Sequence, residues 1–408
     1  MRFPFWAMPL ALLLAFAPGV PYALTLAEAQ RLALTHNPDL AHARLELQAQ
    51  QGAEMQAGAR PNPELGVLLE DTRSATRTTT VQLSQAIELG GKRAARQTAA
   101  QQAREQAAVA LASKQAEVRA VVAAAFFELL GADAQQQLAA ASVRLAQDAT
   151  GAAAKRLQAG KVPPLEVAKA RVAEAQARAE LAQAQSEALQ ARARLAALWG
   201  QGPQAAAQVD GDDTALPSQP SDAQLNAWTA DAPALRLAQL DIVRRQALTA
   251  GERARRVPDV TFTVGAKRDA ELGRTQAVIG FTLPLPLLDR NHGGLLEALR
   301  REDQARESLT SATLKLQADV AAAAERLRAS REQARLLGEE ALPVSQTAYD
   351  TALKGYELGK FAFLDVLDAQ RSLFQLRRQQ LQANADAHRA AAELDRLLGR
   401  STQNAQED

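Results

Sequence analysis

Cysteine is absent from the 408 residues, which excludes disulfides, a thiolate nucleophile, a cysteine-based zinc site and a lipidated N-terminal cysteine. Aromatic residues make up only 4% of the chain, and Ala, Gln, Leu, Arg and Glu dominate long stretches, which is typical of long helices. The chain also has no excess of charge of one sign, because 47 Lys and Arg nearly balance 46 Asp and Glu. Nucleic acid is therefore not an expected partner.

The usual signatures of catalysis are missing as well. The sequence contains no HExxH motif, phosphate loop, nucleophile elbow or convincing carboxylate dyad, so we do not expect an enzyme. The histidines lack the i, i+4 or His-x-x-Glu spacing that would seed a metal site, so we predict surface or packing roles for them, no metal site and no cofactor. The four are His36, His42, His292 and His388.

Long apolar runs are confined to the N-terminus. Residues 1–23 carry one arginine, then an apolar run, then small residues, which predicts a secretory signal peptide cut after Ala17 or Ala23. No later stretch reaches about 18 apolar residues, so we expect no transmembrane helix in the mature chain. At the other end, residues 401–408 are predicted to form a flexible tail.

The remaining sequence contains an internal repeat. YELGKFAFLDVLDAQ (356–370) resembles LQAGKVPPLEVAKAR (157–171), and NPDL (37–40) matches APAL (232–235). Prolines, glycines and strand-like segments align at nearly constant offset, which two unrelated Ala-rich helices would not produce. We therefore predict a duplication, with a first structural repeat over 24–200, a linker over 201–221 and a second repeat over 222–400.

Each repeat has the same predicted order. A short helix, Leu24–Thr35 with Thr25 as its cap in the first copy, leads into a helix of about 24 residues that ends near Pro61 in that copy. Two strands, a helix of roughly 100 Å, a glycine turn and a return helix follow. Pro343 has no proline counterpart and is expected to bend the second long helix. The predicted strands are 64–72, 77–88, 259–267 and 274–286, and the long and return helices are 92–157, 165–200, 292–357 and 364–399.

The strand candidates decide between two architectures. A simple coiled coil would leave them unused, whereas 9 to 12 residues is the length of a tilted strand that crosses an outer membrane. Four strands cannot close a barrel, and an open edge in lipid is costly. Three chains with four strands each would close one barrel of twelve. A periplasmic coiled-coil adaptor, or a scaffold without a pore, stays open as the alternative.

Three features together resemble the TolC family of outer-membrane factors across the mature chain. They are the opening TLAEAQRLALTHNPDLAHARLE (25–46), the duplicated strand-strand-long-helix plan and the G-x-x-x-x-L-[DE]-V turns. QAIELGGKRAAR (85–96) with PLPLLDRNHGG (284–294) is most similar to the CzcC-type branch, which serves heavy-metal cation efflux.

The resemblance implies a mainly α fold with a β membrane part. The expected assembly is a homotrimer whose twelve-stranded β-barrel, four strands per chain, sits in outer-membrane lipid above a long periplasmic α-helical barrel. It also implies a passive exit duct for heavy-metal cations, served by an inner-membrane RND pump through a periplasmic membrane-fusion adaptor. A multidrug or type I secretion duct of the same fold remains the alternative.

In this family the two helix-to-helix turns form the periplasmic tip, where the channel narrows and the adaptor docks. The resemblance places the pore constriction at Tyr356, Gly359, Lys360, Phe361, Asp365 and Asp368. It places the docking turns at Leu157, Gly160, Lys161, Leu165, Glu166, Val167, Leu364 and Val366.

The residue types at the tip carry physical expectations of their own. Gly160 and Gly359 permit a tight reversal with positive φ, and Glu166 and Asp365 fall in the first turn of a return helix, where a carboxylate suits the helix dipole. Asp368 and its symmetry mates are predicted to form an acidic ring that favours cations. In TolC itself an arginine helps to hold the gate where this chain has Phe361, so the latch is expected to differ.

Overall fold

The computed structural model of the chain describes residues 23–206, 208–212 and 215–400. The predicted tail and the predicted signal peptide, apart from Ala23, lie outside these residues. The first half contains α1 (Leu26–His36), α2 (Pro38–Ala57), β1 (Glu64–Glu70), β2 (Thr78–Ile87), α3 (Lys92–Gln158), α4 (Pro164–Ala197) and a 3₁₀ turn at Pro203–Ala206. The second half contains α5 (Asp222–Ala230), α6 (Pro233–Ala254), β3 (Val260–Asp269), β4 (Arg274–Thr282), α7 (His292–Leu336), a π-helical turn at Leu337–Ala341, α8 (Leu342–Glu357) and α9 (Phe363–Leu398).

The first helix begins at the predicted cap. The Thr25 hydroxyl accepts the Glu28 N–H at 3.4 Å, and the Glu28 carboxylate accepts the Thr25 N–H at 3.2 Å, which together form a capping box. Because Thr25 is the cap, α1 begins at Leu26 rather than Leu24. It ends one residue later than predicted, at His36, and Asn37 then caps α2 through the Leu40 N–H.

The second helix and the last strand are clearly shorter than predicted. The helix expected to reach Pro61 ends at Ala57, where the guanidinium groups of Arg93 and Arg96 bind the carbonyls of Gly58 and Ala57 and so satisfy the helix end. The strand predicted over 274–286 ends at Thr282, because the prolines at 284 and 286 have no N–H to donate to a ladder.

The other two strand bounds differ for similarly local reasons. The strand β1 stops at Glu70 rather than 72, since Asp71 takes the left-handed conformation at φ 65° and turns the chain. The strand β3 continues two residues past its predicted end at 267, because Arg268 and Asp269 still pair with Thr79 and Thr78.

The two long arms are not alike. The helix α3 runs unbroken for 67 residues, about 100 Å at 1.5 Å per residue. The helix predicted over 292–357 has the predicted bounds, but a π-helical turn at Leu337–Ala341 separates α7 from α8 within it. Pro343 explains the place of the interruption, since proline lacks an N–H and its ring clashes with the carbonyl four residues earlier, at Glu339.

The strands form one antiparallel sheet in the order β1-β2-β3-β4. One face of the sheet is apolar and exposed, with Leu65, Val67, Val81, Leu83, Phe262, Val264, Ile279 and Phe281. The opposite face carries Thr80, Gln82, Ser84, Thr263, Lys267 and Gln276. Within the described residues, β1 and β4 each pair on one side only. None of the described helices combines the length and the apolar composition that crossing a bilayer requires.

Alanine builds the seam between the first two arms. Ala170, Ala177, Ala184 and Ala191 of α4 are buried at seven-residue intervals, the repeat that keeps one face of a helix against a partner. Small side chains let α4 lie close against α3, and larger residues such as Phe126 and Leu129 fill the core where α1 joins the bundle. A separate core lies at the far end, where the two helix-to-helix turns meet.

Candidate functional site at the helical tip

The two helix-to-helix turns have the same backbone geometry. Gly160 has φ 68°, its N–H binds the Leu157 carbonyl at 2.9 Å, and the Lys161 N–H binds the Arg156 carbonyl at 2.9 Å. This pair of hydrogen bonds is the Schellman motif, which ends a helix with a left-handed residue. The prediction of positive φ at the first tip glycine is confirmed.

The second turn repeats the motif residue for residue. Gly359 has φ 73°, its N–H binds the Tyr356 carbonyl at 3.0 Å, and the Lys360 N–H binds the Gly355 carbonyl at 2.8 Å. The prediction for the second glycine is confirmed as well. The duplicated sequence is therefore a duplicated helix stop.

The return helices begin differently although their carboxylates are equivalent. Asp365 accepts the Ala362 N–H at 2.9 Å, which caps α9 as the first-turn position predicts. Glu166 also lies in the first turn, of α4, but the residue three before it is Pro163, which has no N–H to offer. The Glu166 carboxylate is thereby left to bind elsewhere.

Glu166 instead joins the two turns of the chain. The Tyr356 hydroxyl donates to Glu166 Oε1 at 3.1 Å, and Arg156 Nη2 donates to the Tyr356 carbonyl at 3.3 Å. The Arg156 guanidinium carbon also lies 4.0 Å from the centre of the Tyr356 ring, a cation–π contact. Tyr356, Glu166 and Arg156 are named the tip triad below.

A small apolar core supports the tip triad. Tyr356 is buried, and its ring centre lies 5.5 Å from that of Phe363. Burial raises the pKa of the Tyr356 hydroxyl, which the Arg156 charge opposes. The hydroxyl therefore stays protonated at neutral pH and acts as the donor to Glu166. The core, named the tip cluster, consists of Ala153, Val167, Ala170, Tyr349, Ala352, Tyr356, Phe363, Val366, Leu367 and Leu373.

Phe361, which stands where TolC has an arginine, packs its ring against the preceding helix end. Its ring lies directly against Gly355, where a Cβ would overlap it. A residue larger than glycine at 355 would therefore displace the ring. The sequence did not single out Gly355, since nothing in the local pattern identifies it as a contact of Phe361.

The structure divides the predicted site residues into two groups. It brings Tyr356, Glu166, Leu157, Val167 and Val366 together in or against the tip cluster. It leaves the others exposed at the surface of the tip, namely Gly160, Lys161, Leu165, Gly359, Lys360, Phe361, Leu364, Asp365 and Asp368.

Asp368 stands apart from the tip triad. Its side chain is 71% exposed, and its carboxylate lies 3.9 Å from the guanidinium of Arg371 on the same helix. Any charge that Asp368 presents to solvent is partly balanced by that arginine. Two contributors that sequence reasoning missed, Arg156 and Phe363, make contacts that only the folded tip brings about.

Within the described ranges, no group of three or more histidine or acidic side chains could hold a metal ion. His388 stacks on Phe127 with ring centres 3.4 Å apart, and its Nε2 lies 2.8 Å from the Ala215 carbonyl. Burial lowers the pKa of His388. This is the packing role predicted for it.

Comparison with known proteins identifies a family and relatives with the same architecture. The family model described as outer membrane efflux protein matches residues 29–201 and 225–400. The cobalt-zinc-cadmium resistance protein CzcC of Cupriavidus metallidurans is 42% identical over 377 residues, 92% of this chain and 90% of that protein. The nickel and cobalt resistance protein CnrC of the same organism is 32% identical over 330 residues, 78% and 75% of the two chains.

Solved structures agree on the fold. A membrane protein from Pseudomonas aeruginosa has a TM-score of 0.80 at 22% identity, covering 91% of this chain and 92% of that one. CusC has a TM-score of 0.79 at 22% identity, covering 92% of each chain. The predicted fold class, outer-membrane location and family resemblance are thereby confirmed. The chain belongs to the outer membrane efflux protein family.

Proposed function

We propose that this protein is the outer-membrane exit duct of a tripartite efflux system for heavy-metal cations. The observation that carries the proposal is the 42% identity, over 92% of the chain, to a cobalt-zinc-cadmium resistance protein. In this role the metal ion is cargo that passes through the protein, which performs no chemical reaction on it. Selection among metals then falls to the pump that delivers the ion.

The sheet supports a barrel that several chains share. Its exposed apolar face suits lipid, its polar face suits a water-filled lumen, and its two outer strands have free edges. Unpaired backbone groups in lipid cost several kcal/mol each. Pairing β4 of one copy with β1 of the next, three times around an axis, removes every edge and produces twelve strands.

The tip supports a constriction and a docking surface. The tip triad holds the two turns of one chain together, so three chains would present six turns around one axis. Exposed leucines and an aromatic ring lie beside these turns, an arrangement that fits a protein partner rather than water. They are Leu165, Leu358, Phe361 and Leu364. We assign this surface to the periplasmic membrane-fusion adaptor, which would connect the duct to an inner-membrane RND pump.

The first test is the mass of the detergent-extracted particle from separated outer membranes. After the mass of the bound detergent is subtracted, we expect three times the 43.6 kDa chain, less the signal peptides. A monomer, or protein found only in the soluble periplasmic fraction, would refute the duct and favour the periplasmic adaptor.

The second test concerns cargo. A strain lacking this protein should lose tolerance to cobalt, zinc or cadmium, and the intact gene should restore it. A deletion strain with unchanged metal tolerance but increased sensitivity to drugs would overturn the metal assignment. The protein would then be a multidrug or type I secretion duct with the same fold.

A further inference from the structure

The chain leaves the sheet through an unusually apolar segment. Residues 283–288, LPLPLL, follow β4 and are named the leucine segment. Leu285, Leu287 and Leu288 are 69%, 71% and 101% exposed. An exposed leucine is unremarkable by itself, but a contiguous run next to a sheet indicates a surface that is covered in the working protein.

The leucine segment continues the apolar face of β4. Ile279 and Phe281 lie on that face, and Leu283 and Leu285 follow at the same two-residue spacing. Pro284 and Pro286 keep the residues before them extended, although they end the ladder. The Leu287 N–H then binds the Leu285 carbonyl at 2.8 Å, a tight turn that leaves Leu287 and Leu288 projecting from the chain.

Length arithmetic shows why β4 needs this continuation. Its apolar-face positions from Ala277 to Phe281 span about 13 Å along the strand, or about 9 Å of height at a tilt near 45°. The apolar band of an outer-membrane barrel is about 25 Å tall. Adding residues up to Leu285 extends the apolar height to about 19 Å, which brings β4 closer to that band.

Other residues at the end of the sheet where β4 finishes also fit the boundary of a bilayer. Ile87 and Leu89, where β2 leads into α3, are also exposed apolar residues at this end of the sheet. Charged residues begin immediately beyond the leucine segment, at Asp289 and Arg290, and Arg290 Nε donates to the Pro286 carbonyl at 3.3 Å. Apolar residues followed at once by an arginine are the arrangement found where a bilayer core meets its headgroups.

We propose that the leucine segment inserts into the periplasmic leaflet of the outer membrane and binds phospholipid there. This inference rests on the membrane-spanning barrel proposed above. The occupant is lipid rather than a protein partner because the segment continues the face that lipid covers.

The cysteine-free chain makes a direct test possible. Single variants Leu287→Cys, Ile279→Cys and Gln276→Cys of the full-length protein carry one spin label each, after reconstitution in vesicles of phosphatidylethanolamine and phosphatidylglycerol. Ile279 lies on the apolar face of β4 and Gln276 on the polar face. Collision with oxygen reports lipid, and collision with a water-soluble nickel complex reports water.

The expected result is that the label at 287 matches the label at 279, with oxygen access several-fold above nickel access relative to position 276. If 279 reports lipid and 287 reports water, the inference is wrong and the barrel stands. If both report water, the proposed barrel fails and the inference falls with it. A label at Leu288, whose side chain is fully exposed in the single chain, repeats the measurement if Leu287→Cys does not assemble.

Discussion

The Tyr356 hydroxyl donates to the Glu166 carboxylate across 3.1 Å, joining two turns that are 190 residues apart in sequence. The bond exists because Pro163 cannot offer Glu166 a backbone N–H, while the equivalent Asp365 binds Ala362. One proline therefore gives two equivalent acidic residues different tasks. Asp365 stabilises its own helix, and Glu166 connects the two hairpins.

The first prediction concerns that connection. Tyr356→Phe keeps the ring in the tip cluster but removes the donor, so the two turns are held less firmly and the tip opens more often. Hydrogen bonds to charged groups contribute about 1.5–3 kcal/mol, and partial exposure here reduces the expected loss to about 1 kcal/mol. Single-channel recording in planar bilayers should show higher mean conductance. Tyr349→Phe, in the same cluster, is the control, and equal conductance in both variants would remove the tip triad from the gate.

The second prediction concerns the helix stops. Gly160→Val or Gly359→Val forces a β-branched residue into φ near +70°, at a cost of about 1–2 kcal/mol. No heavy atom lies within 4 Å of an added Cβ at either glycine, so the penalty is conformational and not steric. Both variants should lower the thermal unfolding midpoint and impair complementation of a deletion strain.

Gly151 is the matched control for the glycines. It lies within α3, has no atom within 4 Å of an added Cβ, and does not have a positive φ. Gly151→Ala should be neutral or slightly stabilising. If the Gly359 and Gly151 variants behave alike, the left-handed conformation does not limit the tip.

The third prediction concerns cation preference. If Asp368 and its symmetry mates line the constriction, Asp368→Asn should reduce cation over anion selectivity, measured as the reversal potential across a salt gradient. Arg371→Gln is the opposite test, because it removes the guanidinium 3.9 Å from Asp368 and should strengthen the preference. Unchanged reversal potentials in both variants would assign Asp368 to the outer surface of the tip.

The fourth prediction uses pH. Burial raises the pKa of the Asp395 carboxyl from 3.8 to about 6, against the opposing charge of Arg400. A raised folded-state pKa means that the neutral carboxyl suits the fold, so its stability is complete below about pH 4 and is lost as pH rises through 6. Asp395→Asn should therefore stabilise the protein at pH 8, by up to about 3 kcal/mol, and change little at pH 4.

Thermal unfolding of the detergent-solubilised protein at the two pH values measures this difference. The exposed aspartate Asp148 is a control, since Asp148→Asn should change the unfolding midpoint little at either pH. Equal effects of Asp395→Asn at pH 4 and pH 8 would show that the pKa of the Asp395 carboxyl is not raised in the folded protein.

Residues that begin or end helices and turns explain why so much of the architecture could be predicted from sequence. The threonine at 25 and the glycines at 160 and 359 act within a few residues of themselves, and the structure uses each as expected. The bounds of β1 and β4 were predicted too long although their causes are local, whereas the end of α2 depends on a distant group. Arg93 and Arg96 end α2 from more than thirty residues away, and no pattern inside α2 announces them.

The sequence by itself determined the duplication, the long helices, the strands and the two helix stops, because helix period, strand alternation and glycine or proline conformations are properties of neighbouring residues. Only the tertiary structure decided that Tyr356 meets Glu166 and Arg156, that Phe361 rests on Gly355, and that the leucine segment prolongs the apolar face of β4. Contacts between hairpins depend on how helices of about 100 Å bend and rotate against one another, and small changes spread along the whole bundle determine which side chains meet at its tip.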